Sequence, residues 1–543
     1  MEFDYIIAGG GAAGCLLANR LSANPAHQVL LLEAGGASDS IWFRIPVGYR
    51  YTIGNPASDW CLTGTAEPGL NQRVLKHPRG KVLGGSTAIN GMVAIRGQAA
   101  DYDAWRDSGL TGWGWRDVLP FFKQHEDYFS RALEDQAWHG NGGEWRVDQP
   151  RVRWPVLDAV AASAVQAGLP KVPDFNTGDN LGVGPIHVNQ KNGRRWSAAD
   201  AFLKPVLKRP NLTVQTHALV EKVVLQGTRA VAVDWQQGGT RIRARARREV
   251  VLTAGALGTP QILMRSGIGP GAQLAFHGIA VVADRPGVGA NLQDHLQIGL
   301  RYQIKGADTL NRHMHSYLAK ARMAVQFGLL GRGPLTMAPC QLGLFAKSVP
   351  SAVRADIAFN VLAFSRESFQ AAFDTFPGLT LIAYDMRPTS RGEIRLSGRQ
   401  AADPPLIRVN YLTTRRDEEV AVNSIRLSRQ IMRQAAMAPY FPQEMGTGAT
   451  LADTDEAGLL ALARQTGVSI FHPVGTAKMG TSGDPMAVVD ARLAVLGVQG
   501  LRVMDASVMP ALISGNTATP TLMIAEKGAA MLLNGASNQA PQP

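Results

Sequence analysis

Three glycines and one acid carry the first chemistry that the sequence offers. Gly9-x-Gly11-x-x-Gly14 is followed by Glu33, at about the 20-residue spacing of a ribose-binding acid. In a turn between a strand and a helix, the first glycine permits a tight bend. The second lets a pyrophosphate approach the backbone, and the third lets helix and strand pack closely. The opening N–H groups of the helix, at Ala12 and Ala13, face the phosphates together with its positive dipole end. Glu33, with Ala34 beside it, is placed to accept hydrogen bonds from ribose hydroxyls. Its charge disfavours a 2′-phosphate, so these residues alone leave FAD and NAD open.

The elements that must position this turn are legible around it. Residues 3–8 read as a buried strand, 12–23 as a helix and 29–33 as a second strand, which together make a βαβ unit. A Gly/Pro-rich region spans 40–150 and contains a loop at 78–97. Trp105, Trp113, Trp115, Trp138 and Trp145 in it read as packing anchors. Short β runs follow at 212–215, 220–225, 230–235 and 250–253, then a helix that includes 261–265. From 300 to 460 the motif density drops, and charged helices near 414–436 suggest a separate, more variable module. The segment 317–330 reads as a core helix, with an amphipathic lid or a membrane-touching helix as alternatives. Glycine-rich motifs return after 465, and the tail 538–543 is polar.

Composition bounds the rest. A chain of 543 residues exceeds one hydrophobic core. With 45% hydrophobic and 18% charged residues it belongs to the soluble globular class, and 58 glycines suit an α/β protein with many tight turns. Cys15, Cys61 and Cys340 form neither a disulfide framework nor a zinc site, and no metal is expected. The first apolar run belongs to the fold and not to a secretory signal. The uncharged stretch 506–525 holds Pro510, Asn516 and Pro520, which suit a site loop better than lipid. The default compartment is the cytoplasm, with peripheral membrane contact as an option. The net charge is +12. Arg241, Arg243, Arg245 and Arg247 alternate on one strand face and read as a solvated surface; no nucleic-acid module accompanies them.

Two segments then decide the cofactor. Gly80-Lys-Val-Leu-Gly-Gly-Ser-Thr-Ala-Ile-Asn-Gly-Met92 resembles the first signature of the glucose–methanol–choline (GMC) oxidoreductases, and Gly255-Ala-Leu-Gly-Thr-Pro-Gln-Ile-Leu-Met-Arg-Ser-Gly-Ile-Gly269 resembles the second. Runs at 287–295, 472–480 and 505–520 are similar to the family as well, so the resemblance covers about residues 2–535. Its texture is closest to choline-dehydrogenase-like and FAD-dependent alcohol dehydrogenases. The resemblance implies FAD. It also implies that Val82, Asn90, Gly91, Met92 and Val93 line the flavin, that Val220 meets the adenine through its backbone, that Ala506 and Thr517 lie by the isoalloxazine ring, and that Gly85 and Asp505 also bind the cofactor. Members with covalent flavin carry a histidine where this chain has Ile89, so the FAD is expected to be non-covalent. The implied fold is α/β: a Rossmann-like FAD-binding domain from 1–155, 196–300 and 466–535, and a second, α+β substrate-binding domain from 156–195 and 301–465, with 536–543 as the tail.

Alcohol oxidation requires a base for the hydroxyl proton, a donor for the developing alkoxide and a hydride acceptor. A neutral imidazole suits the first task and an amide the second. By resemblance His472 is the catalytic histidine and Asn516 its partner. His295 reads as structural, His313 and His315 as surface or lid residues, and Met386 as an apolar wall of the substrate cavity or plain core. The expected activity is oxidation of a primary or secondary alcohol, with hydride passing to flavin N5 and electrons to a quinone, cytochrome or other acceptor. An oxidase that makes hydrogen peroxide is the alternative. Fatty-acid photodecarboxylases share the fold, but they lack the histidine and use a cysteine where Met386 stands. The alcohol and the oligomeric state are not legible.

Overall fold

A computed structural model describes residues 1–537, with side chains to 534; the tail from 538 lies outside the described residues. The chain opens with β1 (Glu2–Ala8), α1 (Ala12–Leu21) and β2 (Val29–Leu32). Six of seven β1 residues and all of β2 are buried, as expected of parallel strands covered on both faces. β3 (Gly182–Pro185) leaves for a second sheet. β4 (Leu212–Gln215), β5 (Leu219–Gln226), β6 (Arg229–Gln237) and β7 (Thr240–Leu252) return to the first, and α2 (Gly255–Arg265) follows. The second sheet is completed by β8 (Leu296–Gln303), β9 (Leu342–Ala346), β10 (Ile357–Leu362), β11 (Gly378–Asp385), β12 (Gln443–Met445) and β13 (Val468–Ser469). Helices α3 (Tyr317–Leu330) and α4 (Arg415–Met432) come from the same stretch. The last strand of the first sheet is β14 (Leu501–Val503), and α5 (Ala518–Ser537) closes the described chain.

The first sheet runs β4-β2-β1-β7-β6-β5, with β14 also on β7. β1 is parallel to both β2 and β7, with Ile6 opposite Leu30 and Val250. The βαβ unit is therefore the centre of a Rossmann-like layer, and β5–β7 form an antiparallel meander beside it. α1 packs against α5, where Arg20 pairs with Glu526. The second sheet runs β12-β8-β11-β10-β9-β3 with antiparallel pairings throughout. Each sheet has its own apolar core. α4 covers one face of the second sheet through its apolar side.

Most elements fall where the sequence places them, and two differ. The run at 250–253 is the end of a 13-residue strand, β7. It continues the strand on which Arg241, Arg243, Arg245 and Arg247 alternate; Arg241 and Arg243 pair with Glu221 and Asp234 across the meander, and Arg247 pairs with Asp4 on β1. The second difference is a correction: α3 is not a core helix. Met323 is its one buried residue, while Tyr317, Leu318, Leu329 and Leu330 are 89%, 82%, 81% and 65% exposed. The apolar content of 317–330 pointed inward, but the helix joins the second core only through Met323. Among the described residues no helix is long and apolar enough to cross a membrane.

Candidate active site

The glycine turn is built as its spacing implies. Gly9 has φ +121°, and a Cβ there would meet the Thr253 carbonyl oxygen at 2.5 Å. A Cβ on Gly14 would lie 1.9 Å from the Gly9 oxygen, so strand and helix touch at that point. Beside Gly11 the space is open: the nearest atom to a Cβ is 3.8 Å away. Gly11 caps α1 without a side-chain hydrogen bond, which leaves the opening N–H groups of Ala12 and Ala13 for an anion. Glu33 accepts from the Gly10 N–H at 2.9 Å and from the Gly35 N–H at 2.7 Å. Burial pushes its pKa up to about 7. Its first task is thus to tie the turn to the end of β2. One lone pair on each oxygen remains for a ribose.

Other segments close on this turn. A Cβ on Gly85 (φ +52°) would lie 2.7 Å from Gly11 Cα, so the 80–93 loop rests on the start of α1. Val82 bridges to Gly36 and packs with Phe43, Ala88 and Ile89. The Asn90 side-chain oxygen accepts from Arg195 and from the Met92 N–H. Gly91 lies against Pro339, and Val93 bridges to Val188. Val220 is buried at the start of β5, two residues after Ala218 donates to the Glu33 carbonyl. The Asp505 carboxylate accepts from the Gly255 N–H, Thr259 Oγ1 and the Ser507 N–H. It anchors α2 and the Ala506 turn and has little left for a ligand. Gly9, Gly11, Ala12, Ala34, Asn90, Gly91, Ala506, Asn516 and Thr517 are all half-exposed between buried elements. These half-exposed positions, with open space at Gly11 and the free N–H groups that open α1, form a strip that fits a dinucleotide.

At one end of the strip stand two histidines and an amide. His472 Nε2 is 3.0 Å from Asn516 Nδ2, and His472 Nδ1 is 3.0 Å from His295 Nδ1. His295 Nε2 lies 2.9 Å from the Met386 carbonyl oxygen. The proton positions follow from that last contact. A carbonyl only accepts, so His295 carries its hydrogen on Nε2, and burial holds its pKa down to about 4, so the ring is neutral. Its bare Nδ1 then accepts from His472 Nδ1–H. His472 Nε2 is left with its lone pair, and the Asn516 amide donates to it. Burial, His295 and Arg79 pull the His472 pKa well below the ordinary imidazole value. Asp294 fixes the backbone: it accepts from the His472 N–H at 2.7 Å, from the Tyr411 hydroxyl at 2.6 Å and from Ser469.

The site therefore joins His472 and Asn516, as the sequence expected, and adds His295, which the sequence left as structural. Met386 is fully buried and contributes its carbonyl; its side chain does not wall a cavity. Tyr384, also buried, stands beside the cluster, with its ring centroid 6.4 Å from that of His472. His313 bonds to Asp308, and His315 bonds to the carbonyls of Phe373 and Asp374, both outside this cluster.

Two family models described as GMC oxidoreductase match residues 3–297 and 388–525. The oxygen-dependent choline dehydrogenase of Brucella suis biovar 1 is 38% identical over 545 residues, covering 100% of this chain and 98% of that protein. The alcohol dehydrogenase (acceptor) of Pseudomonas putida is 38% identical over 534 residues, covering 98% and 96%. Among solved structures, pyridoxine 4-oxidase from Mesorbium loti superposes with a TM-score of 0.88 at 32% identity, covering 98% of this chain and 99% of that one. The chain belongs to the GMC oxidoreductase family. It is an FAD-binding enzyme.

Proposed function

We propose that the protein oxidises an alcohol to an aldehyde or ketone, with His472 as the base and Asn516 as the donor to the substrate oxygen. The observation that carries this is the bare Nε2 of His472 facing the Asn516 amide beside the flavin strip. The hydroxyl proton passes to Nε2. Asn516 Nδ2–H turns to the developing alkoxide and stabilises its charge. Tyr384 and the buried rim keep water from the reacting carbon. FAD, when bound, accepts the hydride. Ile89 sits in an apolar cluster where covalent flavin would need a nucleophile, so the FAD is non-covalent, and acid precipitation of the yellow protein should release it into the supernatant.

Anaerobic stopped-flow reduction tests the assignment. His472→Ala should keep its flavin but reduce it at least about 10²-fold more slowly. Asn516→Ala should lose about 10²–10³-fold. The double variant should lose less than the product, since both groups act on one oxygen. Near-wild-type reduction by His472→Ala would remove the histidine from the mechanism.

The same reading extends to the electron acceptor. α3 exposes Tyr317, Leu318, Leu329 and Leu330, and residues 309–355 contain no Asp or Glu but include Arg312, Lys320, Arg322, Arg332 and Lys347. A short apolar helix among unopposed cations suits an anionic membrane surface, where a quinone could take the electrons. Peroxide formed in air at the rate of substrate oxidation would favour the oxidase alternative.

A further inference from the structure

One face of the second sheet runs from beside His472 toward two arginines, Arg50 and Arg366, that make no ion pair among the described residues. β10 and β11 are central strands, yet their facing residues Asn360 and Ile382 are half-exposed while their strand neighbours are buried. A half-exposed side chain in the middle of a buried sheet faces a cavity. Tyr384, by His472, lies two residues from Ile382 on the same face. Cys340 Sγ is 3.4 Å from Asn360 Oδ1, and both Tyr384 and Tyr49 lie within electrostatic reach of Cys340. Tyr49 packs on Phe369 with ring centroids 6.0 Å apart. The Arg366 guanidinium sits 4.6 Å over that same Phe369 ring.

Arg50 and Arg366 share the Phe373 ring, at 5.0 Å and 5.8 Å. Arg50 donates to the Ala371 carbonyl at 3.3 Å, and its Nη1 is buried without a partner. The loop that follows β10 holds two acids: Asp374 is held by Arg301 and Ser365, and Glu367 is exposed and makes no ion pair with either arginine among the described residues. Burial lowers the Arg366 pKa from its ordinary value; Tyr49 opposes this, Arg50 adds to it, and no carboxylate contributes. Two half-buried cations side by side, braced by aromatic rings and lacking a counter-charge, are costly unless an anion joins them. A guanidinium fork matches a carboxylate.

We propose that Arg366 and Arg50 bind a carboxylate of the substrate, so that the preferred alcohol is a hydroxy acid whose acid group lies away from its hydroxyl. This rests on His472 and Asn516 being the alcohol-oxidising pair. The spacer runs along Tyr384, Ile382, Asn360 and Tyr49. From Ala358, which is opposite Tyr384, to the end of β10 is roughly 13 Å at about 3.3 Å per residue. An arginine side chain reaches back over part of that span, and the remainder asks for a chain of several carbons or an aromatic ring between the two groups. A cationic amino alcohol such as choline meets the wrong charge at this end.

The holoenzyme can be compared on matched pairs: hydroxyhexanoate against hexanol, and hydroxymethylbenzoate against benzyl alcohol, with choline as a third class. Anaerobic flavin reduction should favour the acid of each pair by about 10- to 100-fold in kcat/KM, the range of one charge-assisted contact, with choline the poorest. The ratio should fall toward one in Arg366→Gln and in Arg50→Gln, mainly through KM, and Arg366→Lys should keep part of it. Retained flavin absorbance shows that each variant is folded. A second arm uses hexanoate, which has no hydroxyl: it should perturb the flavin spectrum of wild type and not of Arg366→Gln. A wild-type ratio at or below one, or a ratio that survives both glutamine variants, overturns the proposal. Hexanoate binding through Arg366 without reduction by any alcohol would keep the anion site and sink the alcohol-oxidising reading instead.

Discussion

At the residue scale, the site is a relay of hydrogen-bond obligations that starts at a backbone carbonyl. Met386 can only accept, and that single fact propagates through His295 to leave His472 Nε2 bare. Its consequence is testable by pH. Protonated His472 cannot take a proton, so the reductive rate should fall as pH drops through its pKa. That pKa is held well below 6.5 by burial, His295 and Arg79, so the rate should stay level from pH 8 through about 6. A limb at ordinary imidazole pH would contradict the buried relay. His295→Leu removes the acceptor for Nδ1–H. It should retain FAD, slow reduction by up to about 10-fold and shift the acid limb. His295→Asn, whose side-chain oxygen can accept that hydrogen, should recover much of both. A variant that changed the rate and left the limb unmoved would make His295 merely structural. His472 and Asn516 were legible because each sits in a motif; His295 stands in one too, but its partner is 177 residues away. Only the docking of the 472 turn on the end of β8 brings the two rings together, and no local pattern encodes it.

At the scale of elements, periodicity and glycine spacing located β1, α1, β2 and α2 because each obeys a local rule. They failed at α3, where the composition of a buried helix stands on an outer surface. A helix in water hides such residues against something. If that something is a bilayer, the protein should float with vesicles containing anionic phosphatidylserine and less with neutral phosphatidylcholine vesicles, and salt should weaken the binding. Leu318→Ser with Leu329→Ser should cut the bound fraction several-fold, at roughly 1.5–3 kcal/mol per fully buried leucine, and leave FAD content unchanged. Equal recovery of wild type and variant would free α3 of that role. The loop after β10 was equally opaque: Arg366 and Arg50 are 316 positions apart in sequence and meet only through Phe373.

At the scale of the whole molecule, the flavin strip is a tie among the start, the middle and the end of the chain. A ligand that binds only the closed arrangement stabilises it by about 2.7 kcal/mol at a hundred times its Kd. Apoprotein should therefore melt at a lower temperature than holoprotein, and added FAD should raise Tm with dose. Glu33→Ala should show a smaller rise, because it loses both the proposed ribose partner and the brace between Gly10 and Gly35. A Tm indifferent to FAD would mean that the strip is not where the cofactor binds. The weave also sets an order of events during synthesis. β1 needs β7 as a sheet neighbour, α1 packs on α5, and Arg20 pairs with Glu526. At about 5–20 residues per second, the nascent βαβ unit waits roughly half a minute to two minutes before its last layer leaves the ribosome. Through that interval α1 keeps an apolar face uncovered and the proposed cofactor strip lacks Ala506, Asn516 and Thr517. Flavin loading is thus a post-translational act, and the newborn chain carries that uncovered face for as long as its two ends are apart.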